Sequence, residues 1–280
     1  MKILAIGDFH GRFPSKLQKR IKQINPDIII STGDFANVDK IRNLIFKHWM
    51  NKNWVDVVGK KKAKQLEKEC FDSGLKILKE LNSLGIKNYI IWGNADFYKR
   101  DQYLESKKIS PGCFEDKIKR MKNLVLIDRN KRKANGFDLI GHGGYVDVTD
   151  YIKYPMDKDK KKQKKRFERY KKYEFKLKKL FSDKKPKNFI FLTHYTPYRI
   201  FDKVKLRKSP MYGKHVGFEP YNKIIKKYQP LLCICGHMHE YQGMQKLGRT
   251  IIVNPGPAFE GKACLIKIED NKIRKVKFIR

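Results

Sequence analysis

Ten short apolar runs, each ending in a polar or glycine-bearing turn, constrain this chain more than any other feature of it. They fall at residues 3–6, 28–31, 88–92, 124–127, 137–140, 188–193, 231–235, 250–253, 263–268 and 273–278. Apolar runs this short, bounded by turns, read as buried strands. Helical periodicity fills several of the intervals, at 15–24, 41–49, 60–84 and 221–227. Helices dominate the gaps in the first third and strands follow more closely later, which predicts an α/β layered fold with mixed sheets. With 40% hydrophobic residues the chain can bury a core of that kind, and we read residues 1–280 as a single domain.

Lys and Arg together number 65 against 29 Asp and Glu, for a formal net charge of +36 and a pI near 9.9. Most basic side chains therefore find no acidic partner, and such a surface attracts polyanions: nucleic acid, anionic lipid or phosphorylated substrates. Residues 157–185 concentrate the excess and interleave it with Phe167, Tyr170, Tyr173 and Phe175, without Gly or Pro. We expect a highly basic helical insertion there, anchored by Phe167, Tyr170, Phe175, Leu177 and Leu180. It serves either as a partner-binding arm for phosphate backbones and stacked bases or as a solubilising appendage. Five cysteines without a regular framework point to a reducing compartment. No span of about 20 apolar residues is present to cross a membrane, and a cytoplasmic location is expected.

Five of the expected strand ends carry polar residues that a core cannot use. Residues 3–6 run into Gly7-Asp8-Phe9-His10, 28–31 into Gly33-Asp34, and 88–92 into Gly93-Asn94-Ala95-Asp96. Residues 189–193 end at His194, and 231–235 at Gly236-His237-Met238-His239. Open α/β sheets bind ligands beyond the carboxyl ends of their strands, where all five lie. On an extended backbone, Asp8-x-His10 and His237-x-His239 would each put two donors on one side. Asp34 could bridge two ions about 3.5–4 Å apart, the separation of two-metal hydrolases. Carboxylate and imidazole donors together suit Mn, Fe, Ni, Co or Zn better than Ca or Mg. The neighbouring Gly7, Gly33, Gly93 and Gly236 would let the backbone turn sharply beside the cations.

In this order the motifs Asp8-x-His10, Gly33-Asp34, Gly93-Asn94-x-Asp96, His194 and Gly236-His237-x-His239 resemble those of calcineurin-like metallophosphoesterases. The stretch from Gly236 through Pro255 looks like the smaller prokaryotic and archaeal members, and the likeness runs from residue 1 to about 257, basic insertion excepted. It implies a four-layer α/β/β/α sandwich with mixed sheets and a dinuclear metal site at the strand C-terminal edge. It also implies that Asp8, His10, Asp34 and His239 hold one divalent transition-metal ion, and Asp34, Asn94, His194 and His237 the other, manganese being the first choice. The activity implied is hydrolysis of phosphate esters by hydroxide formed from a water that the two cations share.

The chain departs from the family at Ala95, where many members carry a histidine near the leaving oxygen. Alanine donates no proton, and losing a general acid costs about 10²–10⁴ in rate. His142, in Gly141-His142-Gly143-Gly144, and His215, in the loop 212–218, are candidate substitutes. Asp96 is assigned a supporting role, Asn94 a hydrogen bond to a phosphoryl oxygen, and Arg12 a bidentate phosphate contact. The missing histidine and the excess positive charge favour phosphodiesters of nucleotide or nucleic-acid type. The competing reading is a basic nucleic-acid-binding protein whose metal site is structural or degenerate. A third is peripheral attachment to anionic lipid through the basic arm and Trp49 or Trp54.

Overall fold

The strand β1 (Lys2–Ile6) is apolar on both faces: Ile3 and Ala5 point into one core, Leu4 and Ile6 into another. A strand of this kind needs cover on both sides, which sets the layering of the whole molecule. The structure, a computed structural model, describes residues 1–48, 52–98, 109–147, 160–181 and 188–280. One mixed sheet runs in the order β12 (Lys272–Ile279), β11 (Ala263–Glu269), β1, β2 (Ile28–Ser31), β3 (Asn88–Ile90) and β4 (Leu124–Leu126). Within it β1 to β4 are parallel, while β11 pairs antiparallel with β1, Leu4 opposite Leu265. The second runs β5 (Lys131–Ala134), β6 (Phe137–His142), β7 (Phe189–Thr193), β8 (Leu232–Ile234), β10 (Thr250–Asn254) and β9 (Gly243–Leu247). Its four middle strands are parallel and its two edges antiparallel.

Ile3, Ala5, Ile28, Ile30, Leu139, Ile190, Leu192, Leu232 and Ile234 fill the space between the sheets. Each buried isoleucine or leucine among them contributes about 1.5–3 kcal/mol. On the outer face of the first sheet lie α1 (Ser15–Ile24), α2 (Asp39–Lys47) and α4 (Lys60–Ser83), following the short α3 (Trp54–Val58). The long α4 is helical because Ala63, Leu66, Cys70, Ile77 and Leu81 recur on one side and are buried there. On the outer face of the second sheet lie α6 (Lys160–Lys179) and α7 (Glu219–Tyr228). This is the expected four-layer α/β/β/α sandwich.

The apolar runs missed β5 and β9, both sheet edges. Lys131, Arg132 and Lys133 leave β5 largely open to water, and Met244, Gln245 and Lys246 do the same for β9. Both edges are open to water, β5 guarded from further pairing by three basic residues and β9 by Lys246, so no apolar run marks them. The five-residue α3 and α5 (Phe114–Ile118) are too short for a periodic signal. The helix expected over 41–49 is displaced to Asp39–Lys47. Trp49 lies outside the described residues, and Trp54 packs half-buried against the first helical layer.

Within 157–185 the described part is α6 and the two residues after it. Tyr170 and Leu177 are buried as expected and Leu180 packs partly against the core, but Phe167 and Phe175 are 56% and 69% exposed. What ties α6 down instead is Glu174, buried under Lys178 Nζ at 3.0 Å and Lys223 Nζ of α7 at 3.2 Å. Burial would raise its carboxyl, but these lysines hold it below the ordinary value. All five cysteines are free and buried, and no helix among the described residues is long and apolar enough to cross a membrane.

Candidate metal centre

Because β1, β2 and β3 are parallel neighbours in one sheet and β7 and β8 in the other, their carboxyl ends open on the same edge of the sandwich. The turn after β1 is laced to the turn after β2 by Asp8 N–H to Gly33 O (2.9 Å) and by Phe9 and His10 N–H to Asp34 O (2.8 and 3.0 Å). Asp8, His10, Asp34 and His237 all have positive φ, at 54°, 44°, 56° and 67°. Left-handed backbone in non-glycine residues costs energy and persists only where surrounding structure enforces it. The pairs spaced two apart therefore converge through turns, not through the alternation of an extended strand. Among the four flanking glycines only Gly33 has positive φ, at 94°. Gly93 is needed for space: a Cβ there would stand 2.0 Å from Asp34 Oδ1.

Two groups of donor atoms result, each gathered within 4.8 Å: Asp8, His10, Asp34 and His239, and Asp34, His194 and His237. Asp34 belongs to both. Its Oδ2 lies 3.5 Å from His10 Nε2 and its Oδ1 3.5 Å from His194 Nε2, while Ala95 N–H donates to Oδ1 at 2.8 Å. Asn94 Oδ1 joins the second group, 2.8 Å from both His194 Nε2 and His237 Nδ1. In the first, His239 Nε2 is 3.6 Å from Asp8 Oδ1, and His237 N–H donates to the Asp8 carboxylate.

This donor set fits divalent cations. His194 Nδ1–H donates to Thr32 O at 2.8 Å, which leaves Nε2 bare in the neutral ring and facing the Asn94 carbonyl oxygen. Two acceptors at that distance repel unless positive charge lies between them. His10 Nε2 and His239 Nε2 face one another at 3.1 Å, where one shared proton or one cation between them satisfies both rings. Burial would raise Asp34 and Asp8, but when the facing imidazoles carry a proton instead, their charge outweighs it and holds both carboxyls below the ordinary range. Burial, and then His194, push His237 down to about 3, so its ring is neutral and available as a ligand.

The other expected site residues fall at varied places. Asp96 accepts Asp34 N–H (2.8 Å), Phe35 N–H (2.7 Å) and Gly93 N–H (2.8 Å), clamping the turns after β2 and β3 together. Burial and the nearby Asp34 push it up to about 7 against the pull of these donors. His142 is buried on the helical side of its sheet, with Nδ1 2.8 Å from Tyr221 Oη. His215 is 39% exposed and turns Nδ1 to Asp202 Oδ1 at 2.6 Å. Asp202 is buried, and its other oxygen accepts Arg199 N–H at 2.8 Å and Gly217 N–H at 3.1 Å. This loop packs Val204, Met211 and Val216 on Met238, between His237 and His239. Arg12 is exposed and lines a cleft with Phe259.

Asp202, Tyr195 and Phe259 were not anticipated. Tyr195 lies with its ring 4.3 Å from that of His237, and its place directly after His194 was the signal available. Phe259 sets its ring edge-on to His10 and His239, 5.7 and 5.4 Å away, and nothing in its sequence context marks it.

A family model described as metallophosphoesterase, calcineurin superfamily, matches residues 1–278, past residue 257 where the motif likeness was expected to stop. An uncharacterized protein of Methanocaldococcus jannaschii is 24% identical over 279 residues, 96% of each chain. One solved crystal structure superposes with a TM-score of 0.69 at 23% identity, over 100% of this chain and 99% of that one. A dimetal phosphatase from Danio rerio does so with a TM-score of 0.57 at 11% identity, over 100% and 96%. At these identities the structural likeness is one of fold.

Proposed function

The chain belongs to the metallophosphoesterases of the calcineurin superfamily, and from that premise we propose that it hydrolyses phosphodiesters of nucleotide or nucleic-acid type. The carrying observation is Asp34, one carboxylate common to two gathered donor groups. In this reading Asp8, His10, Asp34 and His239 hold one divalent cation, and Asp34, Asn94, His194 and His237 the other. A solved dimetal phosphatase of the same fold supports two ions. The mixed imidazole, carboxylate and amide donors support manganese first, then Fe, Ni, Co or Zn. Bound, the cations supply Lewis acidity that acidifies the attacking water and offsets phosphoryl charge.

The chain's own groups do the rest. Asp34 fixes the spacing between the two donor groups, and Asp96 holds the turns that carry Asp34 and Asn94. The Asn94 amide is turned by His194 and His237 toward the phosphoryl group, where its N–H can donate. With only a methyl at Ala95, the leaving oxygen takes its proton from His215, whose ring Asp202 orients with Nε2 outward. His142, bonded to Tyr221 on the helical side, is the less suited of the two. The absent histidine and the +36 charge support diesters over monoesters. Five free, buried thiols support a cytoplasmic setting.

The test compares an activated phosphodiester with its monoester, with Mn added and then chelated, on the native protein, Asp34→Asn and His237→Ala. Chelator-sensitive diester turnover abolished by both substitutions is the expected result. A folded protein that turns over neither ester with any of these metals, yet binds nucleic acid regardless of chelator, would be a binding protein with a degenerate centre.

A further inference from the structure

Beside the candidate metal centre lies a cleft of about 470 Å³ whose charged lining is mostly cationic, Arg12, Lys16, Arg20 and Arg280 against Glu260, over an apolar floor that includes Leu17, Phe259 and Ile279. None of the four is paired with an Asp or Glu side chain among the described residues. The acid in the lining, Glu260, is already taken by Lys262 at 2.5 Å. Uncompensated cations gathered around a concavity raise local anion concentration. The cleft is also built, since its parts come from distant segments. Arg12, Lys16 and Arg20 follow β1 into α1, and Arg280 follows β12, where Gln242 accepts from Arg280 Nε at 3.3 Å and donates to Ile279 O at 2.8 Å. The wall shared with the metal centre is Phe259, a half-buried ring that touches His10 and His239 on one side and lines the cleft on the other. Its turn is pinned to the first motif by Ala258 N–H to Gly7 O at 2.8 Å.

We infer that this cleft binds the phosphate next along the chain from the one at the metal centre, with the intervening nucleoside against Phe259, so that the substrate is a single-stranded polynucleotide. The inference rests on the phosphoesterase reading above and narrows its substrate. The two phosphorus atoms of a pyrophosphate share one oxygen and cannot straddle an aromatic ring. Successive phosphates of a nucleic-acid strand have a whole sugar between them, and its base has a π-face for the ring to meet. Arginine forks suit the nonbridging oxygens of such a phosphate.

The experiment has two arms. In the first, kcat/KM is measured with Mn on single-stranded oligodeoxynucleotides of increasing length and on a minimal activated diester, for the native protein and for Arg20→Gln/Arg280→Gln. The native protein should prefer substrates carrying the flanking phosphate, and the double substitution should cut that preference about tenfold, the scale of one charged hydrogen bond. In the second, binding of a labelled oligothymidylate to Asp34→Asn protein is followed against salt. The slope of log K on log salt should fall by about 0.7 for each phosphate of the single strand that the substituted cleft no longer neutralises. An unchanged preference and slope would overturn the inference. So would an equal loss from Lys164→Gln/Lys165→Gln on α6, which would show general electrostatic attraction. If no ester is turned over at all, the phosphoesterase reading fails in the first arm while the second still judges the cleft.

Discussion

The two halves of the metal centre share Asp34 but are prepared differently. Around His194 and His237 the protein has already fixed its ligand atoms: Thr32 O sets the tautomer of one ring, and Asn94 Oδ1 stands 2.8 Å from both. Around His10 and His239 the rings oppose each other, and His10 Nδ1 is buried without a hydrogen bond, the nearest carboxylate being Asp39 at 3.9 Å. Ligands oriented by their neighbours bind metal more tightly than ligands that must be ordered by it. On the dinuclear reading proposed above, the difference predicts one firmly held cation and one that exchanges.

Asp34→Asn removes what the halves have in common and should have the largest effect, a loss of about 10³-fold or more in turnover and of metal by elemental analysis. Retention of both ions in that variant would break the comparison at its root. His215→Ala asks which half the leaving group faces, since its loop packs on Met238. It should cost about 10² in kcat for diesters with poorly departing alcohols and little for a nitrophenolate. An equal loss on both substrates would make His215 structural. His10→Ala should weaken one cation roughly tenfold, recoverable with excess Mn, whereas His194→Ala should lose its cation beyond such rescue. Calorimetric titrations giving equal losses would remove the asymmetry.

The smallest effect on turnover is expected at Glu67 on α4, away from both halves, and it isolates the scaffold's own pH dependence. Burial pushes this carboxyl from its ordinary 4.5 up to about 7. Between those values the folded state keeps a proton that the unfolded chain has released, so stability falls as pH rises, by up to about 3 kcal/mol. Glu67→Gln should raise the Tm well above pH 7 and change it little near pH 4.5. A shift of the same size at both would place the cost elsewhere.

The sequence revealed the layers and the donor-bearing strand ends, because both follow from where apolar runs start and stop. It revealed neither β5 nor β9, since water-exposed edge strands leave no apolar run to read. The left-handed turns at Asp8, His10, Asp34 and His237 were also hidden: glycine is the residue that advertises positive φ, and here the candidate ligand residues themselves adopt it. Asp202 meets His215 across 13 residues of loop with no spacing rule to suggest it. Arg280 joins Arg12 only because β12 is laid beside β11 and β11 beside β1.

That last arrangement has a bearing on how the chain matures. As synthesis proceeds, β1 acquires β2 early but meets β11 only after residues 7–262 have emerged, Met1 nitrogen then donating to Ile268 O at 2.7 Å. Until then one side of β1 presents unpaired amides and carbonyls, open to any passing strand. Contacts closed over so long a loop form slowly and leave partly folded chains exposed to aggregation. The side chains from Asp8 to His239 all exist before the sheet that must hold them is complete, so the candidate metal centre is among the last parts of the fold to close.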